Sequence, residues 1–145
     1  MIALLQRVVE SSVKIDGKTV GQIGPGLLAL IAVRPTDTPE DARRLLERIL
    51  RYRIFADQAG KMNRSVTDVR GGLLLVPQFT LAADTRKGLR PGFSHAADPA
   101  HGRQLFDLLL WEARGRHSPV ASGVFGAYMQ VALTNDGPVT IWLES

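Results

Sequence analysis

The feature that most constrains the fold is an apolar run, Leu27 to Val33, with no polar residue on either face. Gly24-Pro25-Gly26 precedes it, so the run is bounded in the way that a short buried strand is bounded. A helix that spans a bilayer needs roughly 20 apolar residues, which excludes a membrane-spanning segment here. We therefore predict a central strand that is covered on both sides.

One well-buried core is what a chain of this size supports. The chain has 145 residues, of which 45% are hydrophobic and 22% are charged, and it is too short for two ordinary domains. We predict a single domain over residues 1–145. Cysteine is absent, so disulfides, thiolate nucleophiles and cysteine-based zinc sites are excluded. The first residues lack the basic and apolar segments of a secretory signal, so we expect a cytoplasmic protein.

The positive charge of the chain is unevenly distributed. The formal net charge is +4, and the segment from Arg43 to His95 holds eleven basic but only four acidic residues. Such a basic middle third is expected where one face meets a polyanion such as nucleic acid. An ordinary solvated surface is the alternative.

Alternating apolar and polar residues predict strands in the first half of the chain. The patterns of Ile2–Glu10 and Ser12–Ile15 indicate strands, and Asp16-Gly17 provides a two-residue turn into a return strand over Lys18–Ile23. A second strongly buried strand is predicted at Leu73–Val76, where the following Pro77 ends the ladder or places it at an edge.

Near the end of the chain, we predict two further strands, Ala127–Thr134 and Val139–Leu143. A tight hairpin at Asn135-Asp136-Gly137-Pro138 joins them in this prediction. Only about 5–6% of such X-Pro bonds are cis in folded proteins, so the pattern alone leaves the isomer open.

Two segments have the periodicity of amphipathic helices. The first runs from Pro39 to Tyr52 with Thr38 as its cap, and the second from Pro99 to Ala113 with Asp98 as its cap. The apolar stripe of the first consists of Ala42, Leu45, Leu46, Ile49 and Leu50, and another of its sides carries Arg44, Arg48 and Arg51. The apolar surface of the second consists of Leu105, Phe106, Leu108, Leu109 and Trp111. Short strands joined to two helices favour a mixed sheet with helices packed on it.

Side-chain catalysis is poorly supported by composition alone. The three histidines, His95, His101 and His117, lack the spacing of a helical metal pair and a predictable acidic partner, so we interpret them as surface or loop residues. Gly24-Pro25-Gly26 and Gly71-Gly72 lack the lysine of a phosphate loop and are interpreted as turns. We expect no metal and no cofactor.

Polar groups follow the second buried strand, over Pro77–Thr85. Backbone amides there are released from the ladder, so they are candidates to bind a carbonyl or an oxyanion, with the Thr80 hydroxyl nearby. An ordinary polar loop at a strand end is the alternative.

Five separated stretches of this chain resemble the D-aminoacyl-tRNA deacylase family, and the resemblance runs from end to end. They are residues 1–8, residues 52–57 with 60–63, residues 78–85, residues 88–94 and residues 135–140. The resemblance implies an α/β fold: a single domain of mixed, mainly antiparallel β-sheets in a barrel-like arrangement, with two main helices packed on them. It also implies a homodimer.

The resemblance implies a particular way of recognising the substrate. In the family, a partner subunit completes each active site with a cis Gly-Pro turn, here Gly137 and Pro138, whose carbonyl oxygens bind the α-amino group. An L-amino acid held by the same contacts drives its side chain into the turn and is rejected by a clash. The implied reaction is hydrolysis of the ester of D-aminoacyl-tRNA. Glycyl-tRNA(Ala) is a further candidate substrate, because glycine has no side chain to clash.

The family's Ser-Gln-Phe-Thr motif maps onto Pro77, Gln78, Phe79 and Thr80. Pro77 departs from it, since proline has neither a hydroxyl nor an amide proton. The resemblance leaves the amides of Phe79 and Thr80 to polarise the ester carbonyl. It assigns Thr80 an orienting or electrostatic role, because the family is described as using the 2′-hydroxyl of the terminal adenosine to help activate the attack.

Three further residues match positions with roles in the family. Phe125 and Met129 fall where the family contacts the terminal adenosine, and an aromatic ring suits base stacking. Arg7 resembles the arginine that braces the Gly-Pro turn. The alternatives are core packing for Phe125 and Met129 and an exposed strand position for Arg7.

The resemblance also gives the basic middle of the chain a purpose, which is to neutralise phosphates of an acceptor stem. The candidates are Arg44, Arg48, Arg51, Lys61, Arg86, Lys87 and Arg90. The alternative function is a basic RNA-binding module without catalysis, which binds RNA in a salt-dependent way and leaves ester lifetimes unchanged.

Overall fold

The computed structural model describes residues 1–86 and 88–145. Its elements in chain order are β1 (Ile2–Ile15), β2 (Lys18–Ile23), β3 (Gly26–Ala32), α1 (Pro39–Arg51), β4 (Phe55–Ala56), β5 (Met62–Arg64), α2 (Val66–Val69), β6 (Gly72–Pro77), a 3₁₀ turn (Phe79–Ala82), α3 (Pro99–Arg116), β7 (Val120–Ser122) and β8 (Gln130–Glu144). Strands β4 and β5 form a separate two-stranded sheet, and the other six form one sheet. Within the described ranges, no helix is long and apolar enough to cross a membrane.

A long hairpin organises the first 32 residues of the chain. The predicted turn is confirmed, with positive φ at both Asp16 (48°) and Gly17 (75°) as a two-residue hairpin turn requires. β2 and β3 then follow one edge of β1. One register runs from Val13 opposite Gly21 to Ile2 opposite Ala32, and it shifts between Val13 and Lys14, next to the turn. β1 itself runs without the break that the sequence pattern suggested near Ser11.

The main sheet is mixed and curls into a nearly closed barrel. β3 lies at its centre, antiparallel to β1 and parallel to β6, and β7 continues the sheet parallel to β6. β2 approaches β7 so closely that a Cβ on Gly21 would lie 2.6 Å from the Ser122 carbonyl oxygen. The predicted central strand is confirmed: Leu27 packs in the cluster shared with the helices, and Leu28 packs inside the barrel.

Two glycines predicted in turns begin strands instead. Gly26 starts β3 and Gly72 starts β6, and the two lie side by side in the parallel ladder. A Cβ on Gly26 would lie 2.0 Å from the Gly72 carbonyl oxygen. These positions therefore require glycine because two backbones approach closely, which is a constraint that local turn patterns do not reveal.

The two main helices begin at their predicted caps. Thr38 and Asp41 form a capping box on α1, and hydrogen bonds from the Thr38 hydroxyl and amide lower the pKa of Asp41 to about 2. The predicted apolar stripe of α1 is fully buried. Asp98 caps α3, which runs to Arg116 and so is longer than predicted. Trp111 was wrongly included in the apolar surface of this helix, since it is 71% exposed.

β8 corrects the predicted C-terminal hairpin. Residues 130–144 form one strand, and both of its halves pair with β1. The register passes from Gln6 opposite Thr140 to Val8 opposite Asn135, so residues 136–139 leave the ladder as a bulge, called here the Gly-Pro bulge. Turn-forming residues between two alternating segments are typical of both a hairpin and a bulge, so the local pattern does not separate them.

The N-terminal ammonium is buried at the start of β1, where Met1 is 1% exposed. It donates to the Asp37 carboxylate and to the Ser145 hydroxyl, both at 2.6 Å. The other Asp37 oxygen accepts the Arg34 amide at 2.6 Å. One carboxylate therefore joins the first residue of the chain to the loop after β3.

Candidate active site

A small apolar cleft lies where β6 ends. Pro77, Gln78 and Phe79 line one side of it, and Phe125 and Phe106 line another. β6 brings the first group there because its ladder with β3 stops at Pro77, opposite Ile31. The structure therefore brings together four of the residues singled out in the sequence, three from the strand end and Phe125 from the loop after β7.

The chain after Pro77 forms a 3₁₀ turn. The alternative given above was an ordinary polar loop. The first hydrogen bond of this turn joins the Leu81 amide to the Gln78 carbonyl at 3.2 Å. The amides of Phe79 and Thr80 precede that bond, so the turn directs two donors outward. Such a pair can stabilise negative charge on a carbonyl oxygen.

The Thr80 hydroxyl is exposed and hydrogen-bonded to an amide rather than to a base. The Gln78 side-chain amide donates to it. Among the described residues no histidine or carboxylate forms a hydrogen bond with this hydroxyl, whereas a nucleophilic hydroxyl needs a neighbouring base. The contact favours an orienting role for Thr80.

Arg103 holds the Phe125 ring from above. Its guanidinium carbon lies 5.1 Å from the ring centroid, and its Nη2 donates to the Phe125 carbonyl at 3.2 Å. On α3, Gly102 leaves room for the ring, because a Cβ there would lie 3.2 Å from the Phe125 Cζ atom. Sequence reasoning missed both residues; a glycine inside a helical pattern was the available signal.

Met129 packs beside this cleft. Its side chain is half-buried against the interior of the barrel, and its sulfur accepts the Val124 amide at 3.3 Å. These contacts match the core-packing alternative for Met129, and they also place its sulfur on the loop that carries Phe125.

Arg7 lies with the Gly-Pro bulge in a second group of residues. Its Nη1 donates to the Ile54 carbonyl at 2.6 Å, and its Nε lies 3.0 Å from the Asp136 carboxylate. Asn135 closes the base of the bulge by donating to the carbonyls of Arg7 and Val139, each at 3.0 Å. Arg7 is thus half-buried and tied to the bulge, rather than being an ordinary exposed strand residue.

The tip of the Gly-Pro bulge is exposed. Gly137 has a φ of 120°, and the Gly137–Pro138 peptide bond is cis. Within residues 1–86 and 88–145, no hydrogen bond or ion pair joins the bulge to the cleft at the end of β6. A single chain therefore presents the two halves of the predicted site as separate groups.

Two of the three histidines form hydrogen bonds away from this site. The rings of His101 and His117 bond to the carbonyls of Asp37 at 2.9 Å and Gly71 at 2.7 Å. His101 lies half-buried on α3, which corrects the prediction of a surface or loop position, while His95 is an exposed loop residue. In the part of the chain that the structure describes, no group of three His, Asp or Glu side chains is arranged to hold a metal ion.

Acceptors of this chain already engage several of the predicted phosphate contacts. Arg44 pairs with Asp41, Arg51 pairs with Glu47, Arg86 pairs with Asp84, and Arg48 donates to the Glu144 carbonyl. The Arg86 hydrogen bonds hold the pKa of Asp84 well below its usual range. Lys61 and Arg90 are exposed, and Lys87 lies outside the described residues.

Solved structures share this fold over its whole length. A protein described as c-Myc DNA Unwinding Element Binding Protein is similar with a TM-score of 0.95 and 38% identity, covering 100% of this chain and 99% of its own. A probable eukaryotic D-amino acid tRNA deacylase has a TM-score of 0.86 at 19% identity, covering 99% and 98%. At that lower identity, the likeness concerns the fold alone.

Curated relatives are closer in sequence. Proteins named D-aminoacyl-tRNA deacylase from Thioalkalivibrio sulfidiphilus and Pseudomonas entomophila are 65% and 61% identical to this chain. Each match covers 99% of this chain, with 97% and 99% of the relative. With this fold, they define the class of protein as a hydrolase that removes acyl groups. The family model described as D-Tyr-tRNA(Tyr) deacylase matches residues 4–144, and the chain belongs to that family. The resemblance seen in the sequence is thereby confirmed.

Proposed function

We propose that this chain hydrolyses the ester bond of D-aminoacyl-tRNA and releases the free D-amino acid and tRNA. It acts as a single domain, residues 1–145, in the cytoplasm, where it removes D-amino acids that are wrongly esterified to tRNA. The observation that carries the proposal is the match to deacylase relatives over almost the whole chain, including the strand-end motif and the Gly-Pro bulge. No metal or cofactor takes part in the proposed reaction.

The cleft at the end of β6 receives the ester in this proposal. The amides of Phe79 and Thr80 stabilise the oxyanion, while Gln78 orients the Thr80 hydroxyl. Pro77 closes this side of the cleft without donating a hydrogen bond. Phe125, held by Arg103, stacks on the terminal adenosine, and Met129 supports the same loop. The 2′-hydroxyl of that adenosine helps to activate the attack.

A second copy of the chain completes each site in the proposed homodimer. The Gly-Pro bulge is exposed and is braced by Arg7 through Ile54 and Asp136, so it is suited to enter a partner's cleft. The carbonyl oxygens of Gly137 and Pro138 bind the α-amino group there. An L-amino acid in this position directs its side chain into the bulge, whereas D-amino acids and glycine do not. Glycyl-tRNA(Ala) is therefore a second substrate in the proposal.

The direct test is to incubate the purified protein with matched D-tyrosyl-tRNA and L-tyrosyl-tRNA. We expect the D ester to decay far faster than in buffer and the L ester to decay at the buffer rate. Decay of both esters at the buffer rate, together with salt-dependent RNA affinity, would instead establish the non-catalytic RNA-binding alternative. A glycyl ester in the same assay compares the two proposed substrates.

Thr80→Ala is expected to leave measurable hydrolysis of the D ester. The hydroxyl accepts from Gln78 and has no base beside it among the described residues, so its loss removes an orienting contact and leaves both amides in place. We expect a rate decrease of about tenfold to a hundredfold, within the range for one positioning contact. Complete loss of turnover, with folding and tRNA binding unchanged, would favour a nucleophilic threonine instead.

Gly102→Ala is expected to weaken substrate binding. The added methyl group meets Phe125 at 3.2 Å, so the ring must move by a few tenths of an ångström, and we expect KM to rise about tenfold. Gly115→Ala is the matched control, since it lies on the same helix and its Cβ has no neighbour within 4 Å. Steady-state kinetics of the two variants give the comparison. Equal KM values for the two variants contradict a role for the Phe125 position.

A further inference from the structure

The separate ribbon formed by β4 and β5 has an exposed turn in the middle of the chain. We define the basic ribbon as residues 53–64, which include Arg53, Lys61 and Arg64. Residues 58–64 are all exposed, and the strands pair only with each other, through Phe55 opposite Arg64. Ile54 is buried and Phe55 packs against the core, so the accessible part of this hairpin is residues 58–64, which are open to a ligand much larger than a metabolite.

The cations of the basic ribbon form no ion pair among the described residues, whereas Arg44 and Arg51 of α1 each pair with a carboxylate. Among the described residues, neither Arg53 nor Lys61 forms an ion pair, and Arg64 donates to the backbone carbonyl of Asp68 at 2.8 Å. Arginine and lysine at such positions remain available for an external anion, since no carboxylate among residues 1–86 and 88–145 forms an ion pair with them.

The acidic residues of the same region accept hydrogen bonds from nearby groups of the chain. Asp57 accepts the amides of Ala59 and Lys61, each at 2.9 Å, and the side-chain amide of Asn63 at 2.8 Å. Asp68 caps α2 by accepting the amide and hydroxyl of Ser65, each at 2.8 Å. The pKa of each carboxyl is lowered by these hydrogen bonds. Both oxygens of Asp57 and one oxygen of Asp68 are thus engaged by the chain, and the three cations of the basic ribbon outnumber these two carboxylates.

Arg7 connects the basic ribbon to the Gly-Pro bulge. The carbonyl that it binds belongs to Ile54, the residue immediately before β4, and its other contact is Asp136 in the bulge. The bulge and the start of the basic ribbon are therefore neighbours in the same chain, because both contact the Arg7 guanidinium.

We infer that the basic ribbon binds the phosphate backbone of the RNA strand that leads to the esterified terminus. The inference rests on the proposed function, because the ester is the reason that this strand reaches the bulge. If the bulge serves the partner's cleft, the same geometry makes the ribbon of one subunit hold the RNA whose ester lies in the other subunit. Phosphate contacts of this kind do not depend on base sequence, so one ribbon serves many tRNAs.

The test measures binding of uncharged tRNA to the variant K61Q/R64Q over a range of salt concentrations. We expect the slope of log Kobs against log salt to become shallower by about 1.5, since each lost phosphate contact contributes about 0.7–0.9. The matched control is K14Q/K18Q, which removes the same charge from exposed lysines near the β1–β2 turn, about 23 Å along β1 from Arg7. The control is expected to keep the wild-type slope. All four side chains are exposed, and thermal unfolding verifies that both variants are folded.

A wild-type slope for K61Q/R64Q overturns the inference, as does an equal change in both variants. A poly-glutamate peptide that binds as tightly as tRNA, and loses affinity by the same factor, also overturns it in favour of an acidic protein partner. The assay involves no ester. A loss of RNA affinity in K61Q/R64Q but not in K14Q/K18Q therefore supports RNA binding by the basic ribbon, even if the hydrolysis test fails.

Mixed dimers test which subunit's ribbon serves which cleft. One dimer carries K61Q/R64Q and the cleft variant Phe125→Ala in different chains, and the other carries both in one chain. If the ribbon serves the partner's cleft, the first dimer keeps the wild-type KM and the second shows the raised KM of K61Q/R64Q. The reverse result assigns each ribbon to its own cleft and overturns the cross-subunit part.

Discussion

Replacing Gly137 by alanine is expected to reduce the rate ratio between D and L esters by about a hundredfold, which is the effect of misplacing a reacting group by about 1 Å. A Cβ at this position would lie 2.8 Å from Arg7 Nη2 and 2.9 Å from Val139 Cγ2. Arg7 cannot withdraw easily, because Ile54 and Asp136 hold its other nitrogens. The bulge must therefore shift, and with it the carbonyl oxygens that we propose select the D configuration.

The matched control for this substitution is Gly17→Ala. Gly17 also has a positive φ, 75°, but a Cβ there meets nothing within 4 Å. Both variants carry the strain of an alanine at positive φ, about 1–3 kcal/mol, and only Gly137→Ala displaces the bulge. Single-turnover hydrolysis of D-tyrosyl-tRNA and L-tyrosyl-tRNA measures the ratio. A folded Gly137→Ala protein with the discrimination of Gly17→Ala contradicts the proposed role of the bulge.

Asp37→Asn is expected to destabilise the fold by about 3–5 kcal/mol, the usual cost of removing one partner from a buried ion pair. The carboxylate accepts the Met1 ammonium and the Arg34 amide, both at 2.6 Å. An asparagine keeps the size of the side chain and one acceptor but leaves the buried ammonium without a counter-charge. For a domain of this size, the loss corresponds to a decrease in Tm of about 10 °C or more.

The control for Asp37→Asn is Glu144→Gln, which breaks the Arg34–Glu144 ion pair at the surface. The side chains of that pair are 37% and 48% exposed, so its loss is expected to cost about 0–1 kcal/mol. Urea unfolding at neutral pH measures both variants. Equal midpoints and slopes for the two variants would show that the Met1–Asp37 pair contributes no more than a surface contact.

The parts of the fold that were predictable from sequence are those that local physics determines. The Asp16-Gly17 turn needs two positive φ angles, the Thr38 cap needs a side-chain acceptor, and the apolar run at Leu27–Val33 needs cover on both faces. Each of these requirements is visible within a few neighbouring residues, and the structure meets all three.

What was missed depends on contacts between distant segments. The C-terminal hairpin was wrong because only pairing with β1 shows that both halves of β8 have the same neighbour. The position of Trp111 fits the apolar spacing of α3, but the sequence of the helix alone does not show how wide its buried face is. The ion pairs of Arg44 with Asp41 and of Arg51 with Glu47 are different: they join residues three and four apart on α1, so the sequence alone could have predicted them.

The candidate site divides in the same way. The strand-end motif at Gln78–Thr80 and the Gly-Pro turn at Gly137 were identified from sequence through the family resemblance. The supporting residues Gly102 and Arg103 were not, because they act on Phe125, which lies more than 20 residues away in the chain. The basic ribbon likewise emerges only when each cation is compared with the carboxylates around it.

The Gly-Pro bulge interrupts β8, but the two halves of β8 on either side of it both pair with β1. Asn135 ties the two ends of the bulge together. Changes in the bulge therefore have little effect on the pairing of β8 with β1. The tip can be lengthened, shortened or re-shaped while the barrel keeps its architecture. In the proposed mechanism, stereochemical preference is thereby uncoupled from the folding core. A change of substrate range in the proposed mechanism therefore requires substitutions only in the short bulge, while the barrel that carries it stays the same.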